Sequence, residues 1–212
     1  MGLAKLAIIN EHSGWAAWKI EESTTSLVEE CCLKEDDLIA WNSIRHPAKR
    51  LEWLSSRAAL RCVQQAMHLP VLSVYKDKKG KPFVRGMIYH ISLANSYPYG
   101  VAVLHRLHAV GIDIEQPSDK LRRVQHKFLS DPEIASIGSH PVRRCIYWCI
   151  KECLYKLYGR KRLSLRDNIT VHSIHLGKSI RATASVCVNY DTTHYRLEGI
   201  AINGFFIIYS IT

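Results

Sequence analysis

Two short stretches hold residues whose types and spacing could do chemistry. Val110-Gly111-Ile112-Asp113-Ile114-Glu115 reads as a strand that ends in acid. Side chains two apart on a strand share a face, so Asp113 and Glu115 point the same way. Trp148-Cys149-Ile150-Lys151-Glu152-Cys153-Leu154-Tyr155-Lys156 reads as a helix, on which Trp148, Glu152 and Lys156 recur at i, i+4 and stack on one face. Neighbouring carboxylates repel unless something positive lies between them. Three carboxylates suit Mg²⁺, which completes its shell with water and substrate phosphates. Asp113, Glu115 and Glu152 are therefore the candidate metal ligands, and Lys151 and Lys156 suit the phosphates.

Each piece also has a plainer explanation. An acidic pair at a strand end is often the first solvated part of a loop, and alternating charges on a helix usually form a solvated face. Against the second stands the apolar surround of Ile146, Tyr147, Trp148, Ile150, Leu154 and Leu157. A helix apolar on most sides is largely buried. Its charges then need partners, and phosphates and a metal would provide them.

The chain has 212 residues, enough for a sizeable core as one domain or two joined halves. Apolar residues make up 47% and charged residues 23%, ordinary for a globular protein. No apolar run approaches the roughly 18–20 residues that cross a bilayer. Residues 1–10 form too short an apolar run for a signal peptide and read as a first strand. Gly2 resembles a myristoylation start, but Leu6 stands where that motif needs Ser or Thr. The seven cysteines include no C-x₂-C pair. Cys145, Cys149 and Cys153 are four apart on one helix and read as small packing residues in a reducing cytosol.

The formal net charge is +10, with basic clusters at residues 76–81, 120–127 and 159–166. Such charge draws an acidic partner. The clusters lack the interleaved aromatics of a single-strand platform, and no helix-turn-helix or RNA-motif signature appears, which argues against nucleic acid.

The elements that must position the two stretches follow from periodicity and punctuation. A hairpin is expected over 5–10 and 14–19, helices over 23–33 and 47–67, and short strands near 71–75, 83–84, 90–93 and 100–104. The strand 108–115 carries the first stretch. Helices are expected at 120–128 and 132–137, then a long one at 141–158, with Ser139 as its cap, Pro141 in its first turn and Gly159 as its αL stop. Strands follow over 168–173, 180–190, 194–202 and 204–211. Each half thus supplies strands and a long helix, dividing the chain into lobes 1–104 and 105–212 with the metal motifs in the second.

The two stretches together resemble the 4′-phosphopantetheinyl transferase superfamily, whose pattern is G-[IV]-D-x-E followed by W-[ST]-x-K-E-[AS]-x-x-K. Gly111-Ile112-Asp113-Ile114-Glu115 and the segment from Trp148 to Lys156 stand in that order. Phe128-Leu129-Ser130 with Glu133 is similar to the F-x-S-x-x-E segment between the halves, and Gly80-Lys81-Pro82 to an upstream G-K-P. Glu115 resembles the larger, two-lobed, surfactin-synthetase-activating type. The resemblance implies an α+β fold of two similar lobes with pseudo-twofold symmetry, each a small antiparallel sheet on a long helix, with the site between them. It implies transfer of 4′-phosphopantetheine from coenzyme A to a serine of an acidic acyl or peptidyl carrier protein, with Mg²⁺, releasing 3′,5′-ADP. Glu152 would be the general base, Glu115 its stand-in, and Lys151 and Lys156 would neutralise phosphate. Lys81 would contact phosphate, and Arg45, Lys49, Arg50 and Arg57 sit where the family places bases for the 3′-phosphate. A cytoplasmic monomer is expected.

Two departures stand out. Ala94-Asn95-Ser96 replaces the family's Ser-His-Ser, and Cys149 replaces its Ser or Thr. Asn95 can donate from its amide but cannot become cationic, and a charge-assisted bond to phosphate is about twice as strong as a neutral one. A catalytically weakened protein that binds coenzyme A or a carrier is thus the alternative reading. Lys120, Arg123 and Lys127, at i, i+3 and i+7, are expected to form one basic helix face for the carrier.

Overall fold

The computed structural model describes residues 2–76, 80–84, 89–159 and 163–211, Lys76 by its backbone alone. The expected basic clusters at 76–81 and 159–166 lie partly outside them. The chain divides into two compact units, Met1–Val110 and Gly111–Thr212. The fold is α+β, with antiparallel sheets and six α-helices among the described residues.

The first unit runs β1 (Leu3–Asn10), β2 (Ser13–Lys19), α1 (Thr24–Cys31), α2 (Glu35–Asn42), α3 (Pro47–Ala66), β3 (Val74–Lys76), β4 (Pro82–Val84), β5 (His90–Ser96) and β6 (Tyr99–His105). Its main sheet has the order β1-β2-β6-β5, antiparallel throughout, and among the described residues β3 pairs with β4. The long helix α3 lies against β2 and β6, burying Leu54, Ala58, Ala59 and Val63 with Trp18, Ala102 and Leu104. Small residues make the approach close. A side chain at Gly100 would strike Ser55 and the backbone of Ser56.

Sequence periodicity missed α2. Three acids fill its first turn, where they favour the helix dipole. Yet the helix has no apolar stripe: Asp37 is buried while Leu38 and Ile39 are exposed.

The second unit takes up β7 (Val110–Glu115) and continues through α4 (Asp119–Val124), a 3₁₀ turn (Gln125–Lys127), α5 (Asp131–Ile137), α6 (Pro141–Tyr158), β8 (Ile169–Leu176), β9 (Ile180–Val188), β10 (Asp191–Ile202) and β11 (Phe205–Ile211). Its sheet has the order β7-β11-β10-β9-β8, antiparallel from β8 to β11. One face packs on α6, where Cys145, Cys149, Cys153, Ile146, Ile150 and Leu154 meet Val171, Ala184, Val186, Leu197 and Ile208.

Two local expectations change. His140, not Ser139, is the residue before α6, and it makes no side-chain cap. The helix expected over 120–128 ends at Val124 and tightens into the 3₁₀ turn, so Lys127 leaves the face shared by Lys120 and Arg123. Pro141 does begin α6, and Gly159 ends it at φ 65°. None of the described helices is long and apolar enough to cross a membrane.

Candidate active site

Strand β7 is buried on nearly its whole length and delivers Asp113 and Glu115 at its end. It can lie against α6 because position 111 has no side chain. A Cβ there would collide with the carbonyl oxygen of Cys153 and stand 3.1 Å from the Leu157 Cβ. The glycine of the first motif therefore sets the distance between the two elements that carry the acids.

Asp113 is only 6% exposed. Its Oδ1 accepts from the Lys156 ammonium at 2.6 Å, and the same ammonium donates to the Ile112 carbonyl at 3.1 Å. Its Oδ2 is buried and has no hydrogen-bond partner among the described residues. Burial raises the Asp113 carboxyl above its ordinary range, the Lys156 charge offsets part of that, and Glu115 adds to it. Burial pulls Lys156 down, but the Asp113 charge and hydrogen bond, with Glu152, outweigh it and leave the ammonium above its usual value. Glu152 is pushed up to about 7 by burial and then by Asp113, with Lys156 opposing. No hydrogen bond reaches its carboxylate from the described residues. Glu115 accepts from the Gln116 N–H at 2.9 Å.

Asp113, Glu152 and Lys156 thus come together in the second unit. No group of three or more His, Cys, Asp or Glu side chains among the described residues stands at metal-holding spacing. Instead the Lys156 ammonium neutralises Asp113. The donor types nonetheless suit a hard cation: a buried carboxylate oxygen with no partner among the described residues, a second carboxylate raised by burial and then by Asp113, and a third on the same strand.

Lys151 goes elsewhere. It is fully buried, and its three donors are taken by Glu133 Oε2 at 2.7 Å, the Leu165 carbonyl at 3.0 Å and the Ile169 carbonyl at 2.8 Å. Burial lowers its pKa and Glu133 offsets part of this. Five residues along a helix turn about 140°, so Lys151 and Lys156 cannot serve one phosphate face. Glu133 was the residue whose role was missed. It also accepts from the Ser130 N–H at 2.9 Å and the Val171 N–H at 3.2 Å, tying α5, α6 and β8 together. Ser130 and Glu133 form a capping box, whose S-x-x-E spacing was visible beforehand.

The expected cofactor-binding residues of the first unit divide by burial. Arg57 is buried, its guanidinium 3.6 Å from the Trp53 ring centroid and 3.2 Å from Ser56 Oγ, and burial lowers it to about 10. It is a core residue, against expectation. Arg50 stacks on Trp41 at 3.9 Å and donates to Asn42. Lys49 is exposed and pairs with Glu52 at 2.6 Å. Arg45 is exposed, with no ion pair or hydrogen bond among the described residues. Lys81 borders a cavity of about 240 Å³ with Phe83, Tyr89 and His90. Asn95 is exposed near the end of β5, beside the buried Ala94.

Residues 109–205 match the model of the 4′-phosphopantetheinyl transferase superfamily. That segment runs from the residue before β7 to the start of β11 and contains both motif halves. No curated protein matches the chain. The resemblance read from the two motif halves is supported at the superfamily level.

Proposed function

We propose that this protein transfers the 4′-phosphopantetheine arm of coenzyme A to a serine of an acyl or peptidyl carrier protein, releasing 3′,5′-ADP. The observation that carries this is the Asp113–Lys156 pair beside Glu152, with Asp113 Oδ2 lacking a donor, inside the segment that matches the superfamily. Asp113, Glu115 and Glu152 would hold Mg²⁺, which as a Lewis acid stabilises charge on the pyrophosphate oxygens. Glu152 takes the serine proton as the serine Oγ–phosphorus bond forms and the bond from that phosphorus to 3′,5′-ADP breaks. Among the described residues no hydrogen bond reaches its carboxylate, so it has none to give up. Lys156 pairs with Asp113, opposing the rise that burial gives its carboxyl, and presents its ammonium to phosphate. Lys151 keeps α6 in place and touches no substrate.

In the first unit, Arg45 and Lys49 are the exposed candidates for the 3′-phosphate, and Lys81 and Asn95 for other polar parts of coenzyme A. Glu115 supports the two-lobed, surfactin-synthetase-activating type, and each unit's plan of one sheet on one long helix agrees with it. All seven cysteines are unbridged, which supports a reducing cytoplasm.

The test is direct. The protein is incubated with coenzyme A, Mg²⁺ and a panel of apo carriers, and each carrier is weighed for the gain of the arm. No gain on any carrier, together with no coenzyme A binding, sinks the proposal. Asn95, where the family has a cationic histidine, favours one other reading, a weakened binder without turnover. Coenzyme A binding that ignores Mg²⁺, with no mass gain, would select it.

A further inference from the structure

The sheet of the second unit has a second face, turned from α6, that the transfer reaction does not use. In register across it lie Ser185 on β9 and His194 on β10. His172 on β8 joins them through an irregularity: the β8–β9 register shifts between Val171 and Ser173, with His172 the extra residue. Such a bulge re-aims a side chain. Here it brings the His172 ring to 5.7 Å from that of His194, tilted by 35°, with β9 between the two strands. Both histidines are exposed.

We propose that His172 and His194 form a site for a borderline-soft divalent metal, Zn²⁺ or Cu²⁺, distinct from the carboxylate site. Imidazoles hold such a metal at about 2.0–2.1 Å, and a ring centre lies about 1.2 Å behind its nitrogen. Two rings on one metal therefore have centroids about 5.2 Å apart at a tetrahedral angle and at most about 6.4 Å apart. The observed 5.7 Å falls inside that window.

The surroundings are built for it. A metal-binding histidine usually donates its other ring N–H to an oxygen, which fixes the tautomer and aims the free nitrogen. His172 Nε2 lies 2.9 Å from the hydroxyl of Ser185, a residue only 6% exposed. With Nε2–H donating there, Nδ1 presents its lone pair. Neither ring has another hydrogen-bonding partner among the described residues. Thr183, Tyr195 and Arg196 complete a shallow depression around the pair, leaving the other coordination positions to water or a small anion.

A second histidine group, His12, His90, His105 and His108, lies in the first unit, and its central ring, His105, is less suited. There His105 Nδ1 accepts from the N–H groups of Leu107 and His108, each at 2.9 Å. Its lone pair is taken, and its other nitrogen carries the proton.

The choice of metal follows from the ligands. Imidazole suits zinc and copper, whereas Mg²⁺ takes oxygens. The full chain is titrated with a zinc salt at neutral pH in excess Mg²⁺. Binding is followed by calorimetry and by the histidine ring proton resonances. We expect one zinc per chain, with the His172 and His194 resonances moving. His172→Ala and His194→Ala should each weaken binding at least tenfold, and Ser185→Ala by roughly tenfold. His172→Gln and His194→Gln repeat the test with side chains nearer in size. Zinc that binds equally well to either histidine variant, that moves the His12, His105 and His108 resonances instead, or that does not bind overturns the proposal. An unchanged Ser185→Ala overturns the role given to the hydroxyl.

Discussion

Lys151→Met should cost folding stability and leave coenzyme A affinity alone. The ammonium is fully buried, with one carboxylate and two carbonyls around it. Breaking a buried ion pair by removing one partner costs about 3–5 kcal/mol, because the other charge stays behind. Glu133 keeps the N–H groups of Ser130 and Val171, which moves the cost toward about 3 kcal/mol. The stranded carbonyls of Leu165 and Ile169 push it back up, by about 1–3 kcal/mol each if nothing replaces the donor. A loss of about 3–5 kcal/mol is large beside a typical domain stability of about 5–15 kcal/mol. Hydrogen exchange at the α6 amides measures it within the second unit, and urea unfolding provides the check. Adding Glu133→Gln should restore part of this loss, since no charge is left unpaired, although its single amide oxygen can accept from only one of the Ser130 and Val171 N–H groups, which bond to different carboxylate oxygens. Coenzyme A should bind the folded Lys151→Met protein within about twofold of the parent, a difference under RT ln 2. The reasoning fails if the variant loses less than about 1 kcal/mol while coenzyme A affinity falls about tenfold.

Three further outcomes can be measured. Gly111→Ala should destabilise the protein by about 1–3 kcal/mol or more and lower turnover, because the new methyl meets the backbone of Cys153; a variant of unchanged melting and activity would mean β7 and α6 have room to spare. Asp113→Ala should abolish Mg²⁺-dependent turnover while the carrier still binds, whereas Lys120→Glu with Arg123→Glu, the two charges that share a face of α4, should raise the carrier's KM and flatten its salt dependence, since exposed rim charges act mainly on encounter; a loss of coenzyme A binding in the charge-reversed protein would contradict that division. Mild alkylation near pH 8 should label Cys32 and Cys187, which are exposed, and spare the five buried thiols. Burial raises Cys31 to about 12 and Cys62 to about 11, from 9.0. A raised thiol keeps its proton in the folded chain after the unfolded chain has lost it, so this contribution to stability is full below pH 9 and lost as pH rises through 11–12. Early labelling of Cys62, or stability that stays flat above pH 9, would count against this.

What could be read from the sequence was what local chemistry controls. Pro141 and Gly159 bracket α6 because one suits a first helical turn and the other accepts φ 65°. Asp113 and Glu115 leave β7 together because side chains alternate along a strand. What stayed hidden was decided by distant partners. Arg57 looks like its exposed neighbours in sequence, yet Trp53 and Ser56 hold it in the core. The α2 helix shows no stripe because Asp37 is its buried residue, with Tyr75 held instead by Asp36 at 2.7 Å from a strand far along the chain. Asp113 Oδ2 is lonely only because the fold closes over it, a property of tertiary packing.

The two lysines of α6 make the same point within one helix. In sequence they lie on either side of Glu152, and the apolar surround says only that each must find a partner. A helix turns about 100° per residue. Glu152 and Lys156, four apart, therefore share a face toward Asp113, while Lys151, five from Lys156, faces about 140° away into α5 and β8. Burial taxes both ammonium groups, and the two results differ in sign. Lys151 ends below its ordinary pKa and Lys156 above. Lys151 spends all three donors on fixed oxygens, which makes it a strut. Lys156 spends two, on Asp113 and the Ile112 carbonyl, and keeps 26% of its side chain exposed. An ammonium with a donor to spare and a path to solvent can meet a phosphate without unpairing a buried charge. Of the two, Lys156 alone can serve substrate at no cost to the fold.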